Sequence, residues 1–182
     1  MSENKQNKKE DKSKFKIPKS KFINYLEELA NRDDRGVLAA LRRGLQYEPG
    51  TCIDMYPHII PWLQKIKGKW NRDLHYLIAS LFAYHPSSGI IGNMGDVFRQ
   101  ISLGSGENNS LEQRFTTLLR SNPEDLAIHI RQAISLAKSK NIPINWHELF
   151  YDLKRWPYES NFPSYEKWAN SFWKPKTKIE NE

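Results

Sequence analysis

The sequence is short of cysteine and of long apolar stretches, and each shortage excludes a class of protein. Cys52 is the only cysteine among the 182 residues, which excludes an intramolecular disulfide framework and a zinc site built on several thiolates. No run of about 18 apolar residues is present, and the polar N-terminus lacks the apolar region of a secretory signal. We therefore expect a soluble, cytoplasmic protein with no membrane partner.

Motifs for catalysis are also scarce. Neither a P-loop nor a G-x-S-x-G turn occurs, and Cys52 lies in an apolar stretch typical of a core residue. Asp33 and Asp34 are adjacent carboxylates, but capping of the next helix explains them. The sequence therefore favours a protein that is not an enzyme and has no cofactor. No metal-ligand spacing relates the five histidines, His58, His75, His85, His129 and His147.

Positive charge is concentrated at the two ends of the chain. The net charge is +7, but residues 1–19 hold seven lysines against three acidic residues, and residues 174–182 hold three lysines against two. The body, residues 20–173, has eighteen basic and sixteen acidic residues. Any binding of nucleic acid by the body must therefore depend on where its basic residues are placed.

Helix signals follow one another along the body. Apolar residues keep a 3.6-residue period from Ser20, and a second helix begins after Asp33 or Asp34, with Gly44 expected in the left-handed conformation at its end. Pro57 and Pro61 predict a short or kinked helix within residues 51–63. Another helix is predicted over residues 71–84, and a short helical piece over 96–101 precedes a flexible loop, residues 102–110.

The second half carries the clearest start signals. Ser110 with Gln113 and Asn145 with Glu148 form capping boxes, and Asn122 precedes a proline at the first helical position. Ser164 opens the last helix. No stretch alternates like a strand, so we predict an all-α protein, a single compact bundle of about eight to nine helices without significant β-sheet. This domain would span residues 20–173, between a disordered basic tail, residues 1–19, and a flexible charged tail, residues 174–182.

Arginines of the body sit in or beside predicted helices, while lysines gather in tails and loops. The helix RGVLAALRRGL illustrates this, because it has more arginine than its capping requires. A guanidinium binds phosphate through two N–H groups and tolerates partial burial, so arginines on rigid helices suit a groove that follows a nucleic-acid backbone. A scatter of solvated arginines would produce the same list, and both interpretations stay open. The candidates are Arg35, Arg42, Arg43, Arg72, Arg99, Arg114, Arg120 and Arg131.

Aromatic residues are the other candidates for nucleic-acid contact, because bases stack on their rings. Most fall on the core side of predicted helices, including Trp146, Phe150, Trp168 and Phe172. Trp70 is the exception, since it lies between Lys69 and Arg72.

Several segments resemble, in order, those of the CasB family, the small subunit of the type I-E CRISPR surveillance complex Cascade. They are RGVLAALRRGL, WNRDLHYLIASLFAYHP, GNMGDVFRQIS, the long block from Ser110 to Trp156, and YEKWANSFW. The resemblance covers roughly residues 21–173.

This resemblance implies a non-catalytic helical subunit, present in more than one copy beside other Cascade subunits. It would support the guide RNA and target strands and hold the displaced DNA strand. Two positions depart from the family pattern: Gln132 and Asp96 stand where basic residues are common, so a less cationic groove is expected. The family's basic positions correspond here to Arg42, Arg43, Arg72, Arg114, Arg120 and Arg131.

Two other classes of protein fit the same sequence. A helical DNA-binding regulator would read duplex with sequence preference, although no clear helix-turn-helix spacing is present. A purely protein-binding scaffold would leave the arginines solvated.

Overall fold

The computed structural model describes residues 19–89, 92–105, 109–158 and 163–175. Within these residues the chain forms nine α-helices and three 3₁₀ turns, and a single β-bridge between Ser88 and Ile144 is the only strand-like pairing. The prediction of an all-α protein is therefore confirmed. The helices are α1 (Lys21–Asn31), α2 (Arg35–Arg43), α3 (Tyr56–Leu63), α4 (Lys69–Tyr84), α5 (Met94–Ser105), α6 (Asn109–Leu119), α7 (Pro123–Ser139), α8 (Trp146–Arg155) and α9 (Ser164–Phe172).

Helix α4 forms the centre of the bundle. All ten residues from Leu74 to Ala83 are buried, so this helix is enclosed on every side over three turns. Helices α1, α2, α3, α7 and α8 pack around it. Continuous burial explains why this stretch of α4 contains no charged residue instead of carrying a polar face.

Local capping chemistry sets several helix starts, as the sequence predicts. Ser20, Asp34 and Asn122 each accept a hydrogen bond from a backbone N–H of the helix that follows. Asn145 caps α8 in the same way, and its Nδ2 also donates to the Glu148 carboxylate at 3.3 Å. The expected kinked segment is a 3₁₀ turn, Ile53–Met55, that leads into α3, with Pro61 inside the helix.

Four local predictions need correction. Gly44 has right-handed α geometry, with φ −55°, and continues into a 3₁₀ turn. A Cβ there would lie 2.2 Å from the Met55 sulfur, so close packing explains this glycine better than backbone conformation. Helix α4 begins at Lys69, two residues earlier than predicted, because the positive φ of Gly68 ends the preceding loop.

The other two corrections concern the predicted loop over residues 102–110. Helix α5 continues through Gly104 to Ser105. A glycine inside a helix lowers helix propensity but does not prevent the helix from forming. Helix α6 begins at Asn109, so Ser110 lies inside its first turn instead of preceding the helix. The predicted tails lie outside the described residues, except for Lys19, Lys174 and Pro175, and their boundaries stay predictions.

Helix α9 is held against α5 and α8 by a buried polar junction. Lys167 contacts Asp152, whose side chain is 1% exposed, and lies 3.1 Å from the Glu148 carboxylate. The Trp168 indole donates to the other oxygen of Asp152 at 2.7 Å. A Cβ at Gly95 would lie 1.9 Å from the Trp168 carbonyl oxygen, so glycine is required for α5 to approach α9.

Among the described residues, no helix is long and apolar enough to cross a bilayer. Cys52 is buried in the hydrophobic core, as its sequence neighbourhood predicts, and so are Trp146, Phe150 and Trp168. Phe172 is partly buried against the same core.

Candidate nucleic-acid interface

Two of the eight candidate arginines are paired with carboxylates at the surface. Arg35 Nε lies 2.8 Å from Asp33 Oδ2, and Arg43 Nη1 lies 2.7 Å from Asp54 Oδ2. Both pairs are exposed to solvent, so they contribute little to stability. The acidic neighbour nonetheless reduces the positive potential that each arginine presents.

Two further arginines bind the ends of other helices. Arg72 Nη1 donates to the Leu63 carbonyl at the end of α3, at 3.4 Å. Arg99 donates to the carbonyls of Phe172, Lys174 and Pro175, and so satisfies acceptors at the end of α9. The Arg99 guanidinium therefore has an evident structural role at the junction of α5 and α9.

Arg114 and Arg131 lie together at an open groove between α6 and α7. The groove has a volume of about 480 Å³, and no carboxylate of the described residues lines it. Its other lining residues are polar or small, Gln132, Ser135 and Ser139, together with Leu136. Arg114 is exposed and has no hydrogen-bond or ion-pair partner among the described residues.

Arg131 is the partly buried wall of this groove. Its Nη2 donates to the Tyr47 carbonyl at 2.8 Å, whereas its Nε is buried without a hydrogen-bond partner among the described residues. Burial lowers the pKa of Arg131, and no neighbouring carboxylate offsets that effect. A guanidinium held in this way keeps its charge at neutral pH but has no counter-ion, an arrangement that favours an incoming anion.

The positive surface continues along α7 to the end of α4. Lys138 Nζ donates to the Tyr84 carbonyl at 2.7 Å, and Arg42 Nε donates to the adjacent Ala83 carbonyl at 3.0 Å. Ser135, which lines the groove, links the two parts because its Oγ lies 3.4 Å from the Tyr84 hydroxyl. We call the surface formed by Arg42, Tyr84, Arg114, Arg131, Ser135 and Lys138 the basic track.

Lys138 is the member of the basic track that the sequence analysis missed. It was grouped with the lysines of tails and loops, but it lies in the last turn of α7. Arg131 and Lys138 are seven residues apart, which places them on one face of the helix, about 10 Å from each other along its axis. This spacing is the signal that identifies Lys138.

Arg120 is six residues after Arg114 on the same stretch of chain, so it points about 120° away around the axis of α6. Of the two family departures, Gln132 lines the groove. Asp96 does not, because its carboxylate accepts from the Asn93 N–H at 2.9 Å at the start of α5.

Trp70 lies at a second concavity, a cleft of about 570 Å³ between α4 and α7. Its indole donates to the Leu153 carbonyl at 3.0 Å. Glu48, Asp73 and Glu124 line this cleft, and Arg131 of the basic track lines it too, so Arg131 borders both this more acidic cleft and the groove. Within the described residues, no group of three or more histidine, cysteine, aspartate or glutamate side chains is placed to hold a metal ion.

The helical fold and the groove between α6 and α7, which no described carboxylate lines, define a compact all-α protein that presents one partly buried and one exposed arginine at a common surface. Comparison with known proteins identifies its family. The family model of the CRISPR-associated protein Cse2 matches residues 37–173. The chain belongs to the Cse2 family, whose members are also named CasB.

Individual relatives agree with this assignment. The chain is 29% identical over 161 residues to the CRISPR-associated protein Cse2 of Thermus thermophilus, covering 86% of this chain and 90% of the relative. The crystal structure of M. ruber CasB has a TM-score of 0.69 at 31% identity, over 83% of this chain and 89% of that one. A chain of a CRISPR RNA-guided surveillance complex shares the fold at a TM-score of 0.64 and 19% identity, over 83% and 87% of the two chains.

Proposed function

We propose that this chain is the small, non-catalytic subunit of the type I-E Cascade complex in antiviral defence. In this role it supports the guide RNA and target hybrid and holds the displaced DNA strand, beside other Cascade subunits and a second copy of itself. Membership of the Cse2 family supports the proposal. The observation that carries the binding role is the partly buried guanidinium of Arg131, whose Nε has no hydrogen-bond partner among the described residues and which lines a groove where none of the described lining residues is acidic.

Modest contacts are sufficient for this role. Exchange of a DNA duplex for a guide–target hybrid is close to balanced, so backbone contacts that hold one strand can tip it. Each phosphate that the protein neutralises also releases counterions, which makes binding steeply dependent on salt. The role requires no reading of bases.

Within the basic track we assign backbone contacts to Arg42, Arg114, Arg131 and Lys138. Arg42 and Lys138 both bind carbonyls at the end of α4, which orients their charged groups without neutralising them. The contacts predicted for Arg35, Arg43, Arg72, Arg99 and Arg120 stay predictions for surfaces outside the basic track.

A pair of matched double variants tests the assignment. Binding of the full chain to single-stranded DNA, single-stranded RNA and duplex is measured by filter retention at several salt concentrations. Arg114→Gln/Arg131→Gln should lower the slope of log affinity against log salt for single strands by about 1.4, because about 0.7 is lost per phosphate contact. Arg35→Gln/Arg43→Gln removes the same charge from ion-paired positions and should change the slope little.

The result that contradicts the assignment is an equal loss in both double variants, or none in either, with helicity retained by circular dichroism. The same variants in assembled complex should rank in the same order for target-DNA binding. A strong preference for one duplex sequence would instead favour a DNA-binding regulator.

The alternative function, a purely protein-binding scaffold, is favoured by a different observation, the cleft between α4 and α7. Trp70, Leu74 and Leu77 give this cleft an apolar wall, and Ile128 beside it is 53% exposed. A scaffold predicts that the full chain binds no nucleic acid at any salt concentration in the filter assay.

A further inference from the structure

Tyr84 occupies the middle of the basic track and has no assigned role in backbone binding. It is the last residue of α4, and it is half-buried with its ring packed against the hydrophobic core. Its hydroxyl is near Ser135 of the groove, and its carbonyl accepts from Lys138. An aromatic ring therefore lies between the Arg114–Arg131 groove and the Arg42 guanidinium.

Lys138 covers the ring of Tyr84. The Nζ of Lys138 lies 3.7 Å from the ring centroid, and the lysine side chain is otherwise exposed. An exposed cation–π contact is weaker than the stacking of a nucleobase on an aromatic ring. Because the lysine stem is flexible, its ammonium can move from the ring to a phosphate while a base takes its place on the ring.

We propose that the ring face of Tyr84 now covered by Lys138 is a stacking site for one nucleobase of a single strand in the basic track. The inference rests on the proposed function, because the phosphates held by Arg131 and Lys138 bring the base to the ring. The ligand class is single-stranded nucleic acid with any base, since every base has a π-face and a base inside a duplex is not free to stack on a side chain.

Two strands and two variants test the site. The probes are a short oligothymidylate and a strand of equal length that lacks all its bases, both binding to the full chain. Tyr84→Leu should lower affinity for the oligothymidylate roughly 10-fold and leave affinity for the abasic strand unchanged. Tyr84→Phe keeps the ring and loses only the hydroxyl, so it should bind both strands like the wild type.

A change at Lys138 separates charge from stacking. Lys138→Gln removes a phosphate contact and keeps the ring, so the affinities for the two strands should fall by the same factor. The ratio of oligothymidylate affinity to abasic-strand affinity should therefore stay as in the wild type. If Tyr84→Leu loses helicity, Tyr84→Met provides the same comparison.

Equal affinity loss on both strands in the Tyr84 variant, or no loss on either, overturns the stacking site while the proposed function stands. Failure of the wild-type chain to bind either strand rejects the proposed function and the stacking site together. The two failures are therefore distinguishable in one experiment.

Discussion

The α5–α8–α9 junction and the basic track treat their charges in opposite ways. At the junction, Lys167 faces the carboxylates of Asp152 and Glu148. In the basic track, Arg131, Lys138 and Arg42 donate hydrogen bonds only to backbone carbonyls among the described residues, and Arg114 has no hydrogen-bond or ion-pair partner there. The first region neutralises its cation, whereas the second leaves its cations without counter-ions.

This difference separates structural charges from charges that are available to a ligand. A lysine between two carboxylates in a buried site is needed for stability, since removing it would leave negative charge in the protein interior. It is therefore not available to bind a ligand. A guanidinium bound to carbonyls is oriented but keeps its full charge, so a phosphate adds an attraction that the protein does not already supply. Counting arginines along the sequence cannot make this distinction.

The largest effect that we expect is at Gly95, where the junction closes. Gly95→Ala places a Cβ 1.9 Å from the Trp168 carbonyl, so α5 and α9 must separate. We expect a loss of about 4 kcal/mol in the free energy of unfolding, since backbone atoms cannot move aside as a side-chain end can.

Gly104→Ala is the matched control in the same helix, because no atom of the described residues lies within 4 Å of its Cβ position. It should raise stability by about 0.5–1 kcal/mol through helix propensity. Denaturant unfolding of the two variants checks both values, and equal midpoints would contradict the packing of α5 against α9.

The next largest loss of stability is expected at Lys167, because its removal takes away the cation of the α5–α8–α9 junction. Lys167→Met leaves buried Asp152 without its cation and should cost about 3 kcal/mol in the free energy of unfolding. Lys69→Met, which breaks an exposed pair with Asp73, should cost about 0.5 kcal/mol or less.

The pH dependence of the Lys167 effect has a definite sign. Burial lowers the pKa of Lys167, but Asp152 and Glu148 raise it further, and the net shift is upward from 10.5. The stabilisation is therefore fully present below pH 10.5 and is lost as pH rises through the raised pKa. The stability gap between wild type and Lys167→Met should shrink as pH rises through that alkaline range, and a gap that widens there would contradict the pairing.

The smallest effect that we expect is a gain in single-strand affinity when a cation is added to the basic track. Gln132→Arg adds a cation to the groove and should increase affinity for single-stranded DNA about 3-fold, with a salt slope steeper by about 0.7. Gln100→Arg makes the same change at an exposed position of α5 outside the basic track. Filter binding at several salt concentrations compares the two, and equal gains would indicate nonspecific attraction by net charge.

Much of the helical framework was predictable because its signals are local. Ser20, Asp34, Asn122 and Asn145 cap their helices through atoms only two or three residues away. Gly44 shows the limit of local reasoning, because contact with Met55, eleven residues further along, explains its glycine better than its own backbone angles do.

The candidate site was less predictable, because its partners are far apart in sequence. Arg131 and Tyr47 are 84 residues apart, and Arg42 and Ala83 are 41 apart. Arg99 looked like the other helical arginines, yet it binds carbonyls 73 or more residues away at the end of α9. The spacing of residues within one helix does not predict contacts between residues so far apart in sequence.

The sequence by itself determined where the capped helices α1, α2, α7 and α8 begin, that the body is nearly neutral, and which residues are available as cations. Only the tertiary structure decided which of those cations are neutralised by carboxylates and which remain unpaired at a common groove. The reason is that helix formation depends on neighbours within about four residues, whereas charge compensation depends on which helices pack side by side.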